Sequence, residues 1–220
     1  KVQLGPALAE FGFYYVEAHS QSEYVQHMGY HFLEHVICHH WNVMPTEEKS
    51  KLKTMIVSLL QKAPDGLLSL YQQKIAQLLS ELAKREWPQR WPDFFDLLFA
   101  ALHESDTKAE ITLHTLRVLA EDTVASPFAT KPPKSNSGSR WDVNVLPAAR
   151  RKDILVAFRE SSDRMFGLLS AFMHAKYTVM ASASTKAAKD LACRLINLVQ
   201  DLLSVLMEVI QAEAMFKGQF

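Results

Sequence analysis

The sequence predicts an all-α protein, and three observations support that prediction. Apolar residues recur at spacings of three and four along most of the 220 residues, as they do on one face of a helix. The chain holds only seven glycines, a number typical of helical proteins rather than hairpin-rich ones. No run of useful length alternates between apolar and polar residues, as a half-buried strand does. With 48% hydrophobic residues, the chain can bury a substantial core.

Seven apolar faces follow one another from residue 25 onward. The first predicts a helix from Glu23 to about Trp41, and Pro45–Glu48 then supplies a cap and an acidic first turn for the second. Residues 1–20 show no clean phase, and Gly5-Pro6 predicts an early break. The apolar faces lie at 25–37, 52–60, 67–82, 94–102, 111–124, 146–172 and 191–209.

A double tryptophan–proline corner lies between the third and fourth faces. Since a residue before proline is pushed out of the α region, the helix arriving from residue 67 is expected to end at about Trp87. Pro92 suits the first turn of a new helix, and Asp93 favours the positive end of that helix. We therefore expect a packed helix–corner–helix unit built on Trp87, Pro88, Trp91 and Pro92.

A weak repeat indicates how the helices are arranged. Trp41 and Trp87 end successive helices 46 residues apart, and Thr46 and Asp93 open the next ones 47 apart. This period matches HEAT or armadillo repeats, in which helix pairs stack into an α-α superhelix. A closed helical bundle remains an alternative on periodicity alone.

Serine and proline residues at 126–145 predict a flexible loop.

The overall charge balance points to no strongly charged partner. Lysine plus arginine and aspartate plus glutamate both number 24, so nucleic-acid or membrane binding would need a local patch.

Two cysteines, Cys38 and Cys193, cannot form a disulfide framework and are expected to be inert thiols. We expect no signal peptide, because the first residues lack a basic segment followed by an apolar one. No membrane insertion is expected either.

The corner and three further segments resemble the N-terminal exportin domain of the importin-β (karyopherin) superfamily, and within it the exportin-5-like nuclear export receptors. The resemblance covers about residues 24–175, with the segments in the family's order. The segments are Lys84–Asp93 (KREWPQRWPD), Phe32–Val36 with Trp41-Asn42, Leu116–Val124 and Leu146–Ile154.

Two features depart from that family. Residues 1–23 do not match it, and its first outer helix is expected to be absent. The loop at 126–145 is longer than the family's usual connection. We accordingly divide the chain into a poorly matched segment, 1–23, and a HEAT-repeat region, 24–220, that includes the loop.

The resemblance implies a non-enzymatic carrier, of which this chain would be the N-terminal fragment of a longer solenoid. Such receptors bind the GTP form of the small GTPase Ran through their N-terminal repeats and shuttle between nucleus and cytoplasm, contacting nuclear pore proteins. The exportin-5-like members carry hairpin RNA of the pre-microRNA type with a 3′ overhang. Most of that RNA site would lie outside this chain. No cofactor is expected, since Ran carries the GTP.

The resemblance also assigns candidate contact residues. Those for Ran are polar positions on the inner helices: Gln26, Tyr30, Glu34, Gln77, Glu81, Arg117 and Glu121. Apart from the resemblance, two short basic runs supply the candidates for RNA phosphate contacts: Lys84, Arg85, Arg150 and Arg151. The ordinary alternative for these basic residues is a solvated face or helix-end charge, and Glu121 could equally solvate a helix end. The tryptophans could stack on bases, but inter-repeat packing is the stronger interpretation.

The sequence is also compatible with other functions. His31, Glu34 and His35 match the H-x-x-E-H pattern of inverted zinc peptidases, and His27, His31, His35 and His39 fall at four-residue steps. The pattern is weakly specific and no further ligand is identifiable, so we expect neither a metal site nor an enzyme. The remaining alternatives are a karyopherin that carries protein cargo and a helical-repeat scaffold without a GTPase partner.

Overall fold

Helices account for nearly all of the computed structural model, which describes residues 4–17, 22–124 and 147–217. No strand occurs within these three ranges. The loop predicted at 126–145 lies outside them. The helices are α1 (Leu4–Glu17), α2 (Glu23–His35), α3 (Thr46–Gln61), α4 (Ser69–Glu86), α5 (Phe94–Leu102), α6 (Asp106–Val124), α7 (Ala148–Glu160), α8 (Ser162–Ser182) and α9 (Lys186–Lys217).

The helices form two layers. Helices α2, α4, α6 and α9 lie side by side in chain order as an inner layer, and each contacts the next. The outer layer consists of α1, α3, α5, α7 and α8, and each of its helices contacts a helix of the inner layer. Among the described helices, α2 and α9 at the two ends share no substantial contact. The pairs therefore form an open HEAT-type stack, and the closed-bundle alternative is wrong.

The N-terminal residues form a helix, contrary to the expected break at Gly5-Pro6. Gly5 and Pro6 lie in the first turn of α1, where proline removes no helical hydrogen bond. α1 packs along α2 in the first pair, so the expectation that a first outer helix is absent is also wrong. The two helices cross closely at Gly12 and Gly29. A Cβ on Gly29 would lie 2.6 Å from the carbonyl oxygen of Gly12.

This crossing predicts opposite effects for two glycine substitutions. We expect Gly29→Ala to lower the free energy of unfolding by about 1–3 kcal/mol, because α1 must move away from α2. Gly167→Ala is the matched control, since a Cβ there meets nothing within 4 Å in the middle of α8. The control is expected to gain about 0.5–1 kcal/mol. Urea unfolding of both variants measures the difference, and equal effects would contradict the close crossing.

The first inner helix continues beyond α2 in a wider form. A single π-helical stretch, Val36–His40, is followed by a 3₁₀ turn from Trp41 to Val43. The helix predicted to run to Trp41 is thus present, with a changed last turn. The turn buries the Trp41 indole and brings its Nε1–H within 3.3 Å of the Glu86 carboxylate at the end of α4. Successive repeats are therefore joined by a hydrogen bond between positions 41 and 86.

The predicted corner after α4 is confirmed. α4 ends at Glu86, and Trp87 is extended with φ −81° and ψ 142° before a cis peptide bond to Pro88. Both indoles are buried, and the ring of Trp87 lies 4.4 Å from Phe95 and 5.3 Å from Phe158. The Trp91 ring lies 4.7 Å from Phe94. The tryptophans thus join α4, α5 and α7 in one aromatic cluster.

Two helix boundaries differ from the sequence prediction. α5 begins at Phe94 rather than at Pro92, because Trp91–Asp93 form a turn closed by a 3.2 Å bond from the Phe94 N–H to the Trp91 carbonyl. The single face predicted over 146–172 is divided at Ser161 into α7 and α8. The polar interval expected at 181–186 is shorter and contains Ala183–Thr185.

No helix within the described ranges is long and apolar enough to cross a bilayer.

Candidate functional site

One side of the inner layer carries a continuous set of polar side chains, which we call the open face. On each helix these residues are spaced by three or four positions, so they share one side. They belong to helices whose other sides are buried against neighbours. The open face comprises His27, His31 and Glu34 of α2, Lys74, Gln77, Glu81 and Arg85 of α4, Glu110, His114, Arg117 and Glu121 of α6, and Arg194, Asn197 and Asp201 of α9. Two of these side chains, Glu81 and Glu110, are buried.

Ion pairs join neighbouring inner helices at or beside this face. Each contact between successive inner helices has at least one such pair. The pair between α2 and α4 is largely shielded from water, so salt screens it less than a surface pair. The pairs are Glu34–Lys74 at 3.5 Å, Lys84–Asp122 at 2.8 Å, Arg117–Asp201 at 3.6 Å, and Arg194–Glu110.

Glu81 is the centre of a buried charge cluster between α4 and α6. Only 1% of its surface is exposed, and its carboxylate accepts hydrogen bonds from Lys84 and, at 2.8 Å, from Arg85. Lys84 is 3% exposed and also reaches Asp122. Burial alone would raise the pKa of Glu81, but the two cations outweigh it and hold that pKa below the ordinary glutamate value.

This cluster corrects two of the predicted contacts. Glu81 was expected to meet Ran and Lys84 to meet RNA, yet both side chains are enclosed and satisfied within the protein. Arg85, another RNA candidate, donates to the carboxylate and the carbonyl of Glu81. A charged residue is buried this deeply only when paired, and here each charge neutralises its neighbour. The cluster joins helices and presents little charge to a partner.

Tyr30 is also misassigned as a partner contact. Its ring is buried and stacks on Tyr71 of α4, with centroids 5.6 Å apart. Burial, with a smaller contribution from Tyr71, raises the pKa of the Tyr30 phenol above its ordinary value. The tyrosine therefore packs α2 against α4.

The other Ran candidates are accessible to varying degrees. Gln26 is half-buried on α2, and Gln77 donates to the Glu81 carboxylate at 3.1 Å. Arg117 Nε donates to Glu121 Oε1 at 2.7 Å, and this bond raises the pKa of Arg117. Glu121 keeps 44% of its side chain exposed. Glu34 lies between Lys74 and His31. Glu121 is thus the most exposed predicted anion on the open face.

Sequence reasoning missed several residues of the open face. Lys74 and His114 lie three residues from the predicted Gln77 and Arg117, so helical spacing could have indicated them. Asp201 and Arg194 lie on α9, and nothing in the sequence assigned that helix to the inner layer. The pKa of His114 is lowered, first by burial and then by the Arg117 guanidinium.

Arg150 serves the end of α4 rather than a surface. Its Nε donates to the Lys84 carbonyl at 3.0 Å, and its other nitrogens reach the Trp87 carbonyl and Gln89. Burial lowers the pKa of this guanidinium. The last carbonyls of a helix need such donors, so Arg150 anchors the corner to α7. Of the four RNA candidates, only Arg151 has buried nitrogens (Nε and Nη1) without a hydrogen-bond partner.

The histidines of α2 do not assemble a catalytic metal centre. His31 Nε2 lies 2.9 Å from His27 Nε2, whereas His35 contacts the rings of His39 and His40. The H-x-x-E-H residues therefore split between two groups. Within the described ranges, no three or more His, Cys, Asp or Glu side chains could together hold a metal ion.

Two family models match the chain. The model described as exportin 1-like protein matches residues 69–212, and the one described as importin-beta N-terminal domain matches 12–62. The second match begins inside the segment treated as poorly matched, 1–23. Together they extend from α1 to the last turns of α9.

Similar proteins of known name are exportins. The chain is 31% identical to exportin-5 of Homo sapiens over 156 residues, which is 68% of this chain and 11% of that protein. It is 30% identical to exportin-5 of Mus musculus over 185 residues, 80% of the chain and 14% of that protein. The corresponding values for exportin-5 of Dictyostelium discoideum are 23% over 194 residues, 87% and 16%. The chain thus spans only 11–16% of these relatives' lengths.

Proposed function

Because this chain belongs to the exportin family of the importin-β superfamily, whose members are transport receptors and not enzymes, we propose that its open face binds the GTP-bound form of Ran. The complete protein would then shuttle between nucleus and cytoplasm and export hairpin RNA of the pre-microRNA type. It would need no cofactor of its own, since Ran brings the GTP. It would also contact nuclear pore proteins during passage.

The observation that carries the proposal is the continuity of the open face across four successive inner helices. Its side chains alternate in sign, with Glu34 beside Lys74 and Arg117 between Glu121 and Asp201. Such a mixed surface suits the mixed charges of a folded protein partner, where complementarity supplies specificity and a faster association rate. A face of this length makes many moderate contacts, so no single side chain is expected to dominate.

The charge distribution of this chain favours an RNA site elsewhere in the complete protein. Binding to a phosphate backbone requires a strongly positive surface, and this chain has no net charge. Three of its four basic candidates are engaged with protein groups. Arg151 is the remaining member of that set, and its Nε and Nη1 are buried without a hydrogen-bond partner. The exportin-5 likeness supports an RNA cargo, and repeats outside this chain would supply most of that site.

Coupling between Ran and cargo would follow from the stacked geometry. Ion pairs link adjacent inner helices at or beside the open face. A partner whose charges compete for these side chains would favour one curvature of the solenoid. If cargo favours the same curvature, each ligand raises the affinity for the other by the same factor. Hydrolysis of GTP on Ran would remove that contribution and release the cargo.

Charge reversal at Glu121 tests the role of the open face. We expect Glu121→Lys to weaken binding of GTP-loaded Ran about 5- to 20-fold in the complete protein, because it places a second cation beside Arg117 and removes an exposed anion. Glu47→Lys is the matched control, since Glu47 is 82% exposed on the outer helix α3. Titration calorimetry compares the two variants. Equal losses would place the Ran surface outside the open face.

Nucleotide preference and cargo preference test the two parts of the proposal separately. The complete protein is expected to bind Ran locked in its GTP form much more strongly than GDP-bound Ran. A plain scaffold would show no preference. With Ran-GTP present, a hairpin RNA with a 3′ overhang should compete for cargo binding better than a blunt one. Nucleotide preference without any RNA binding would indicate an exportin for protein cargo.

A further inference from the structure

The histidine pair at the start of α2 has the geometry of two metal ligands. His27 Nε2 and His31 Nε2 lie 2.9 Å apart, with both rings on the open face. Two imidazole nitrogens about 2.0–2.1 Å from one metal, at a 90° angle, lie about 2.9 Å apart, whereas a tetrahedral angle separates them by about 3.4 Å. The observed distance therefore fits adjacent positions on a square-planar or octahedral ion.

The surroundings of His31 favour a lone pair on its Nε2. Glu34 Oε2 lies 3.7 Å from His31 Nδ1, and Lys74 holds the same carboxylate at 3.5 Å. A carboxylate beside Nδ1 stabilises a proton there, which leaves Nε2 as an acceptor. The Nε2–H of His27 then fills the space between the two rings. A carboxylate beside the distal nitrogen is also what orients metal-bound histidines in proteins.

We propose that His27 and His31 bind one divalent cation of the nickel or copper type. The metal takes the position of the shared proton, and the His27 proton moves from Nε2 to Nδ1, so no proton is released when both rings start neutral. No group of three or more protein ligands exists in the described part of the chain, so water completes the coordination shell. The second pair, His35 and His39, has ring centroids 4.4 Å apart and an interplanar angle of 36°, against 84° for His27 and His31.

The affinity is limited by one feature of His27. Its Nδ1 is buried without a hydrogen-bond partner, and in the metal-bound form that atom would carry an unpaired N–H. In structural metal sites each ligating histidine donates its other ring N–H to an acceptor, and His27 has no such acceptor.

Titration calorimetry of the chain with Ni²⁺ tests the proposal, with Mg²⁺ as the negative probe. We expect one Ni²⁺ per chain, and a loss of affinity of about tenfold or more in both His27→Gln and His31→Gln. Glu34→Gln, which keeps the side-chain shape, should weaken binding less than either. His39→Gln is the matched control and should leave it unchanged. Circular dichroism verifies that every variant keeps its helix content.

Three results would overturn the proposal. They are an unchanged affinity in His27→Gln, an equal loss in His39→Gln, or several weak Ni²⁺ ions per chain, which would mean adventitious binding only. None of these outcomes depends on Ran, so the metal site and the transport function succeed or fail independently.

Discussion

Replacing Trp87 by alanine is expected to cost about 3–5 kcal/mol of unfolding free energy, the largest effect of any single substitution considered for this chain. The indole is 3% exposed and contacts aromatic rings from two helices, Phe95 of α5 and Phe158 of α7. Its removal leaves a cavity where three helices meet. The rings around it cannot close that space without moving the corner.

Urea unfolding followed by circular dichroism measures this loss of stability. Two further variants, Trp87→Phe and Tyr24→Ala, serve as controls. Phenylalanine retains part of the ring contact, so it should lose less than alanine. Tyr24 is 87% exposed on α2, and its truncation should change stability by no more than about 0.5 kcal/mol. If Trp87→Ala were as mild as Tyr24→Ala, the corner would not be the packing centre that its contacts indicate.

Replacing Glu81 by alanine is expected to cost about 3 kcal/mol, the second-largest effect. The substitution leaves Lys84 buried with Asp122 as its remaining carboxylate and removes the carboxylate that accepts from Arg85, whose bond to the Glu81 carbonyl stays. Lys84 is then a buried charge that is compensated only in part. The double variant Glu81→Leu with Lys84→Met removes both buried charges. It should recover much of the loss.

The same carboxylate predicts a specific dependence on pH. The folded pKa of Glu81 is depressed by Lys84 and Arg85 against the opposing effect of burial. Its contribution to stability is therefore present above the unfolded pKa, about 4.3, and is lost as pH falls through the lower folded value. The stability difference between the native chain and Glu81→Gln should accordingly shrink below about pH 4.3. A constant difference down to pH 2 would contradict the paired state of Glu81.

Periodicity predicted most of the helices because their buried faces are aliphatic. It failed in α1, where Phe11 and Tyr14 are apolar by type yet exposed. When aromatic residues lie on several sides of a helix, the three-and-four spacing of apolar residues is no longer visible in the sequence. The Gly5-Pro6 pair added a false break, since both residues are tolerated in a first turn.

The candidate site was harder to predict than the fold because residue type does not reveal burial. Tyr30 looked like a polar contact and proved to be a stacked core ring. Glu81 and Lys84 looked like exposed charges. Lys84 is paired in the fold with Asp122, which lies 38 residues after it and could not be foreseen from local sequence. Arg150 was predicted to contact RNA phosphates, but the backbone carbonyls of Lys84 and Trp87 that it binds become visible only once the structure brings α7 to the end of α4.

Hydrogen–deuterium exchange of the complete protein with and without Ran tests the central claim most directly. With GTP-loaded Ran, the open face should be covered, so amides of α2, α4 and α6 should exchange more slowly while those of the outer helices α3 and α5 keep their rates. GDP-loaded Ran should change neither set. Slower exchange confined to the outer helices, or the same pattern with both nucleotides, would contradict the proposal that the inner layer of this stack receives the GTPase.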